Sequence, residues 1–285
     1  MRRLLAIAAG ALLLASCSFN FGGFTVTGYT EEGCDASEVR TMPEFTSISA
    51  AAPFNIYYIQ SEESKVVVEG KEEFLSKVKT EVDKQCLRIE LEKGTYHNLV
   101  LKVTVYSPVA DEIKVSGSGN FTDTSIHKSE ADMEYRIAGS GNLYLNNVST
   151  SRDIDIQSSG SGDVYAEMIG CKEFEVSMAG SGDVDLNGVY VTDFDLSIAG
   201  SGDAKVKVAP IAHDADLSIS GSGSITMDAD VADDIEARIA GSGNMTLNGE
   251  CNSIEVKITG SGDVKGNLAY KKISTECKGS GKVRL

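Results

Sequence analysis

Acidic side chains recur at fixed places in the second half of the chain and could bind cations. Asp193 and Asp195 stand seven and five residues before a Gly-Ser-Gly triplet, and Asp214 and Asp216 occupy the same two places before the next triplet. Carboxylate oxygens are the ligands that hard divalent cations such as Ca²⁺ prefer. A flat array of carboxylates gives each ion few oxygens. We therefore expect Glu175, Asp193, Asp195, Asp214 and Asp216 to bind calcium only weakly.

The two acidic positions extend over six repeats. The column seven residues before each triplet holds Asp132, Asp153, Glu173, Asp193, Asp214 and Asp234, and the column five residues before it holds Glu134, Asp155, Glu175, Asp195, Asp216 and Glu236. Bases three residues before the triplet, such as Arg136 and Arg238, relieve the ends of these columns but not the middle. The alternative interpretation is a solvated face that discourages lateral association of sheets.

Catalytic chemistry has little support in the sequence. His97, His127 and His213 lie in unrelated contexts, no His-Cys-Asp spacing suggests zinc, and no Gly-x-Ser-x-Gly motif occurs. The chain has no Trp with which to stack a sugar. We predict no catalytic residue and no cofactor beyond weakly bound calcium. A polysaccharide-processing enzyme remains the less favoured alternative.

The amino terminus predicts a lipid anchor. Residues 1–16 combine a basic start with an apolar run too short to span a membrane, as secretory signals do. Leu14-Ala15-Ser16-Cys17 resembles the lipobox of bacterial lipoproteins, which implies cleavage before Cys17 and acylation of its thiol. Ser18 indicates an outer-membrane address, facing either the periplasm or the medium. Residues 17–40 are rich in Gly and Thr and predict a flexible tether.

Five cysteines remain besides Cys17, and an odd number in an exported protein leaves at least one thiol free or intermolecular. Cys171 and Cys251 would lie four coils apart, roughly 19 Å at the strand spacing, which is beyond disulfide reach. Cys34 with Cys86 is the one pairing we consider. Otherwise all five cysteines, including Cys277, are small buried apolar side chains.

Nine Gly-Ser-Gly triplets organise the chain from residue 111 onward. They begin at Gly117, Gly139, Gly160, Gly180, Gly200, Gly221, Gly241, Gly260 and Gly279. Apolar residues alternate with polar ones on both sides of each triplet, which predicts two strands per repeat of about 20 residues. Such repeats bury a face only by stacking. The sequence thus predicts a β-solenoid, specifically a right-handed parallel β-helix, with a meander sandwich as the alternative.

The triplets have a backbone explanation. Gly reaches positive φ at little cost, and the Asn or Asp that usually follows the second Gly tolerates the left-handed region best among the other residues. This turn geometry is favoured over calcium-binding corners because Asn replaces Asp freely.

The remaining boundaries follow from composition and alternation. Residues 41–110 alternate without the triplets and predict an irregular β lead-in that caps the solenoid and continues into the regular repeats of 111–285. Within the lead-in, residues 74–82 fit a short helix or a strand. The net charge of −16 disfavours nucleic acid as a partner.

The signal, the strand-rich lead-in and the Gly-Ser-Gly-Asp/Asn repeats resemble the head GIN domain family of auto-transporter adhesins, common in Bacteroidetes envelopes, over about residues 44–285. The resemblance implies a right-handed β-helix, no catalytic residues and a cell-envelope location. We therefore expect a non-enzymatic envelope lipoprotein that binds a glycan or protein ligand as an adhesin. A periplasmic structural scaffold is the alternative, and the sequence leaves the oligomeric state open.

Overall fold

The computed structural model describes residues 19–21, 24–208 and 213–285. Strands make up 73% of the chain, which forms a β-solenoid of about 8 turns with coils of roughly 21 residues. The predicted signal peptide and the lipidated Cys17 lie outside the described residues.

The chain contains 25 described strands and one short helix. The elements up to the first triplet are β1 Phe19–Phe21, β2 Phe24–Thr30, β3 Ala36–Thr41, β4 Ser47–Ala52, β5 Ile56–Gln60, β6 Lys65–Gly70, α1 Glu72–Leu75, β7 Val78–Asp83, β8 Cys86–Leu91, β9 Gly94–Ser107 and β10 Glu112–Gly117. The repeats continue with β11 Phe121–Ser129, β12 Met133–Gly139, β13 Leu143–Thr150, β14 Ile154–Gly160, β15 Val164–Gly170, β16 Glu173–Gly180, β17 Val184–Tyr190, β18 Asp193–Gly200, β19 Asp203–Val208, β20 Asp214–Gly221, β21 Ser224–Gly241, β22 Asn244–Gly260, β23 Val264–Lys265, β24 Leu268–Gly279 and β25 Val283–Arg284.

Each coil of the array pairs in parallel with the coils above and below it. One sheet contains the strands that lead into the triplets, for example β14, β16 and β18, and a second contains the strands that follow them, for example β13, β15 and β17. Successive triplets align Gly on Gly. Parallel pairing between like positions excludes the meander sandwich, whose neighbouring strands would run antiparallel.

The interior is built from the inward columns that the alternation predicts. Leu196, 1% exposed, pairs with Val176 on one side and Leu217 on the other, and both neighbours are fully buried. Phe174 and Phe194 pack with their ring centroids 5.7 Å apart and their rings tilted by 35°. Ser158 is an exception to the apolar pattern, and its buried hydroxyl donates to the Gly162 carbonyl at 3.4 Å.

Neither glycine of a triplet has room for a Cβ, and the first is also restricted by its backbone conformation. The first has φ between +113° and +144° in all nine triplets, a region that other residues rarely adopt. At the second glycine the limit is space, since a Cβ on Gly182 would lie 2.0 Å from the carbonyl oxygen of Gly162 in the preceding coil. Coils therefore stack backbone on backbone at this corner.

The explanation of the corner Asn and Asp residues as left-handed turn residues is wrong. Among the described non-Gly residues only Lys84, Gln85 and Asn98 have positive φ, so the corner side chains are not there for the left-handed region. Instead, each side-chain oxygen accepts the backbone N–H of the next coil, at 2.8–3.1 Å, in a ladder that includes Asn55, Asn120, Asn142, Asp163, Asp183, Asp203, Asn244 and Asp263. Ser224 interrupts the ladder, and there Asn244 N–H donates to the Gly223 carbonyl at 3.2 Å.

The lead-in stacks out of sequence order. The coil made by β4 and β5 lies between the coil of β8 and β9 and the first regular coil, β10 and β11. Beyond β8 and β9 the pairing becomes antiparallel, with β7 on β8 and β6 on β9, and β3 on β6. These antiparallel strands cover the end of the solenoid. The segment 74–82 divides between the end of α1 and the start of β7.

The flexible tether predicted for residues 17–40 is wrong where the structure describes it. β2 pairs in parallel with β9, and β3 pairs antiparallel with β6. The physical reason is a set of hydrogen bonds that holds this segment against the lead-in, and sequence spacing alone does not reveal them. Glu31 accepts hydrogen bonds from Tyr29 at 3.0 Å, Asn55 at 2.7 Å and Tyr57 at 2.9 Å, and Tyr29 Oη accepts the Asn55 N–H at 2.9 Å.

The disulfide considered between Cys34 and Cys86 is absent from the described structure, where Cys34, Cys86, Cys171, Cys251 and Cys277 are all free. Cys34 Sγ instead donates to the Glu31 carbonyl at 3.3 Å. Of the five cysteines only Cys251 is fully buried, so the expectation of five buried apolar side chains is also wrong.

Candidate functional site

The acidic columns lie on the outward face of the sheet that leads into the corners, in the predicted register. Glu175 pairs with Asp195, which pairs with Asp216, and Glu173 pairs with Asp193. The strands alternate buried and solvent-accessible positions, so these carboxylates point to solvent beside the core ladder. Asp214 continues the outer column by pairing with Asp234. We call this surface the acidic face.

Ion pairs neutralise both ends of the acidic face. At one end Arg136 contacts Glu134 and, at 3.8 Å, Glu112. At the other end Lys257 contacts Glu236 and Glu255, each at 3.0 Å. Within the described residues, no Lys or Arg forms an ion pair with a central carboxylate at Glu175, Asp195 or Asp216. The negative charge is therefore concentrated in the middle coils.

Two aspartates of the acidic face, Asp195 and Asp214, are harder to ionise than an ordinary Asp, because their pKa values are raised. Burial against the sheet, followed by repulsion from Asp216, Glu173, Glu175 and Asp193, raises the pKa of Asp195 to about 6. Burial and the nearby Asp234 and Asp193 also raise the pKa of Asp214. Part of the face is thus protonated in mildly acidic solution.

The ladder geometry spreads carboxylates along the stack and does not gather them around one point. Across the described ranges, no three His, Cys, Asp or Glu side chains converge in a way that could hold a metal ion. Near one end, Oδ1 of Asp153 and of Asp155 are buried without a hydrogen-bond partner, in an open depression that Glu134 and Asp132 also line. Any cation here would share few protein oxygens, as weak binding requires.

A second surface, which the sequence reasoning missed, carries exposed aromatic and apolar side chains. Tyr144 and Tyr165 stack with ring centroids 5.0 Å apart and an angle of 5° between the rings. On the same strand as Tyr165, Met168 is 40% exposed, and on the next coil Tyr190 is 54% exposed. Tyr190 pairs with Gly170, five positions after Tyr165 on β15, so it lies further along the coil than the stacked pair. We use the name tyrosine patch for Tyr144, Tyr165, Met168 and Tyr190 together.

Local structure fixes the tyrosine patch. Asn142 donates to the Tyr144 hydroxyl at 3.0 Å, and the Tyr165 hydroxyl donates to Asp163 at 3.2 Å, so corner residues orient both rings. Tyr190 lies beside Gly188, where an added Cβ would lie 3.5 Å from the Tyr190 ring. The alternation of the strands that follow the corners could have revealed this patch, because both stacked tyrosines occupy the same outward column.

A buried polar cluster lies inside the first regular coils. His127, which is 0% exposed, and Asp123, at 1%, are paired at 2.8 Å between Nδ1 and Oδ2. The other oxygen of Asp123 accepts from the Ser125 hydroxyl at 2.8 Å. Tyr58 packs on His127 with centroids 4.8 Å apart, and burial raises the pKa of the Tyr135 hydroxyl.

The sequence reasoning also missed this buried polar cluster, although two polar residues in the inward columns could have indicated it. Asp123 pairs with Leu145, and His127 pairs with Val148, so each polar residue occupies an otherwise apolar inward column. The cluster is shielded from solvent, and a substrate outside the solenoid does not reach the Asp123–His127 pair. Its geometry fits a structural role that fixes the packing of the first coils.

A small apolar cavity lies between Phe24, Ala52, Pro53 and the first two corners. Its volume of about 80 Å³ is well below the roughly 300–1,000 Å³ of typical small-molecule sites.

Among the described residues no helix has the length and apolar character needed to cross a bilayer.

Several solved structures similar to this chain come from Bacteroidetes. A putative lipid binding protein from Parabacteroides distasonis shares 22% identity over 90% of this chain and 99% of its own, with a TM-score of 0.65. A putative adhesin from Parabacteroides merdae shares 19% identity over 91% and 100% of the two chains, with a TM-score of 0.61. A putative adhesin from Parabacteroides distasonis shares 22% over 90% and 98%, with a TM-score of 0.62.

At these identities the likeness shows the fold alone. No curated protein matches the sequence. The profile of the family described as "Putative auto-transporter adhesin, head GIN domain" matches residues 44–212 and 196–285, which together span the lead-in and the whole array. The chain therefore belongs to the head GIN domain family.

Proposed function

We propose that the protein is a lipid-anchored adhesin of the outer membrane, whose β-solenoid presents a rigid side surface to a glycan or protein ligand. The tyrosine patch is the observation that carries this proposal. Tyrosine and methionine are enriched in recognition surfaces, and tyrosine supplies a large contact area at little cost in side-chain entropy. Here Tyr165 and Tyr190 lie on adjacent coils whose backbone is held by parallel ladders.

Membership in a family described as adhesins supports a binding role. The lipobox at Cys17 supports attachment through acyl chains, and it places the anchor seven residues before Phe24, where the chain enters the cap. The acidic face makes direct binding to anionic lipid unfavourable, so the contact with membrane is assigned to the anchor. The Asp123–His127 pair is shielded from solvent, so we do not assign it a catalytic role.

The test combines surface exposure with ligand binding by cells that express the full chain. Protease treatment of intact cells should remove the domain if it faces the medium. Those cells should adhere to at least one member of a panel of immobilised glycans and matrix proteins. The double variant Tyr165→Ser/Tyr190→Ser should reduce adhesion at least tenfold, about 1.4 kcal/mol or more.

Val39→Ser is the matched control, because Val39 is an apolar side chain that is 64% exposed on β3, in the cap. It should leave adhesion unchanged. Equal adhesion by the double variant and the wild type would remove the patch from the mechanism. A domain protected from protease on intact cells would contradict adhesion itself and favour a periplasmic scaffold.

A further inference from the structure

Carboxylates border Tyr165 of the tyrosine patch on three sides. Asp163 stands two residues before it, at the corner, and Glu167 stands two residues after it on β15. On the following coil Asp185 is the register partner of Tyr165, and Asp183 lies two residues before Asp185. Alternate residues of a strand point to the same face, so these side chains share the outward face with Tyr165. We call the four carboxylates the acidic rim.

Tyr144 occupies the fourth side and leaves one face of the Tyr165 ring open. The two rings are nearly parallel, at an angle of 5° and with centroids 5.0 Å apart. Because Tyr144 belongs to the preceding coil, the opposite face of Tyr165 is directed toward the following coil. The next side chain of the column, Asp185, is shorter than a tyrosine. The outer part of that ring face is therefore accessible, and Tyr165 is 36% exposed.

The acidic rim keeps its negative charge. Among the described residues no Lys or Arg forms an ion pair with any of its four carboxylates. Lys205 follows Asp185 in the column and is exposed. Burial, followed by the charge of Asp163 and its hydrogen bond, raises the pKa of Tyr165 to about 12. The ring of Tyr165 thus lies in a negative electrostatic potential.

The other half of the tyrosine stack has neutral surroundings. Thr122 precedes Tyr144 in the column, and Asn142 and Asn146 stand two residues before and after it. Negative charge is therefore confined to the Tyr165 side of the stack, which is the side with the open ring face.

An arginine side chain suits this combination of an aromatic face and carboxylates. Cations are attracted to the face of an aromatic ring. A planar guanidinium stacks on such a face and still donates hydrogen bonds to a carboxylate from its edge, whereas a lysine ammonium is more strongly hydrated and cannot stack. The net charge of −16 also attracts a basic partner over longer distances.

We propose that Tyr165 and the acidic rim bind an exposed arginine side chain of a partner protein. The guanidinium stacks on the ring face that Tyr144 leaves open and donates to Asp185, while the rest of the rim supplies negative potential. The inference rests on the proposed function, because it names the kind of ligand that the tyrosine patch holds. It favours a protein over a neutral glycan, which carries no cation.

Two peptides of equal length and charge provide the probes. A dye-labelled peptide of alternating Arg and Gly is titrated against the purified full chain by fluorescence anisotropy, beside a Lys/Gly peptide. The Arg peptide should bind saturably, more tightly than the Lys peptide, and less tightly as salt is added. Tyr165→Ser should weaken its binding about threefold or more.

Removing charge from the acidic rim should weaken binding further. Asp183→Asn/Asp185→Asn should weaken binding of the Arg peptide about fivefold or more. The fold should survive this change, because Asn keeps the acceptor oxygen that Asp183 offers to the Asp203 N–H of the next coil at 2.8 Å. The melting temperature of each variant checks that it is folded.

Two matched controls should leave binding of the Arg peptide unchanged. Asp195→Asn/Asp216→Asn removes the same charge from the acidic face, on the other sheet. Tyr190→Ser removes an exposed tyrosine that lies further along the coil. Equal weakening by the acidic-face variant would show that only net charge matters and would overturn the proposal. Equal affinity for the Lys peptide would refute the stacked guanidinium.

The result also separates this inference from adhesion itself. No saturable binding of the Arg peptide at millimolar concentration would overturn the arginine site. Adhesion of cells that is lost in Tyr165→Ser/Tyr190→Ser would still support the proposed function in that case. Conversely, a domain that binds the Arg peptide but is protected from protease on intact cells would keep the arginine site and contradict adhesion.

Discussion

Neutralising the centre of the acidic face should stabilise the protein. The perturbation is Asp195→Asn, which keeps the size of the side chain and removes its charge. The pKa of Asp195 lies at about 6, compared with 3.8 for an ordinary Asp. Because the folded-state pKa is raised, the carboxylate costs nothing below about pH 4. The cost in folding free energy grows as the pH rises from the unfolded-state value of 3.8 to the folded-state pKa of about 6, and it is complete above about pH 7.

The magnitude follows from the size of the shift. About two pKa units correspond to about 3 kcal/mol at 1.36 kcal/mol per unit. Asp195 is only half-buried, and solvent screens its repulsion from Glu175 and Asp216. A discount for that screening leaves about 1 kcal/mol, or about 2 °C in melting temperature for a domain of this size.

The assay is thermal and urea unfolding of wild type and variant between pH 4 and pH 7. The free-energy difference in favour of Asn should be near zero at pH 4 and should reach its full value by pH 7. Asp185→Asn is the matched control, since Asp185 is half-buried in the other sheet and pairs with Lys205. The control should show no such rise. A difference that is constant with pH, or that favours Asp, would refute the electrostatic reasoning.

The acidic face should also bind calcium weakly. We expect calcium to raise the melting temperature more than sodium at equal ionic strength, because an ion bound only to the folded form stabilises it by mass action. Asp195→Asn/Asp216→Asn should be more stable without calcium and should respond less to it. Equal shifts with calcium and sodium would show that the acidic face is only a solvated surface.

Four further perturbations test other parts of the molecule. Cys17→Ala should release the protein from the membrane fraction, and normal partitioning would disprove lipidation. Leu196→Asp buries a charge in a ladder and should cost more than about 3 kcal/mol in unfolding free energy. The melting temperature should fall, and the disruption should spread to neighbouring coils. Gly182→Ala should cost about 3 kcal/mol, because its Cβ meets the backbone of the preceding coil, and an unchanged melting temperature would contradict that contact. Asp123→Ala should cost about 3 kcal/mol by leaving the His127 imidazole buried without its partner, and replacing both residues with Leu should recover part of the loss.

Periodicity made the array predictable from sequence. Each inward position repeats an apolar residue at nearly constant spacing, so the register of Val176, Leu196 and Leu217 followed directly from counting back from the corners. The acidic face was predictable for the same reason, since outward columns align with inward ones. The free cysteines and the buried Asp123–His127 pair depend on which side chains meet in space, which the spacing did not specify.

The lead-in was less predictable because its order in space differs from its order in sequence. β8 and β9 follow β5 along the chain, yet they lie on the far side of β4 and β5. Alternation locates strands but does not say which strand comes next in the stack. The prediction of a flexible tether failed for a related reason. Glu31 accepts hydrogen bonds from Asn55 and Tyr57, which are far away in sequence.

The corner residues show why a correct pattern can carry a wrong explanation. Asn and Asp both suit left-handed backbone, and both also present one oxygen that accepts a hydrogen bond, so their free exchange at residues such as Asn142 and Asp163 fits either cause. Only the observed contacts decide between the two. Asn142 accepts the N–H of Asp163 at 2.8 Å, and Asp163 accepts the N–H of Asp183 at 2.9 Å, so one backbone donor per coil is satisfied by the coil before it. An acceptor oxygen is all that this position requires. Amide and carboxylate are therefore equivalent along the ladder, and the exchange of Asn for Asp at the corners needs no bound cation to explain it.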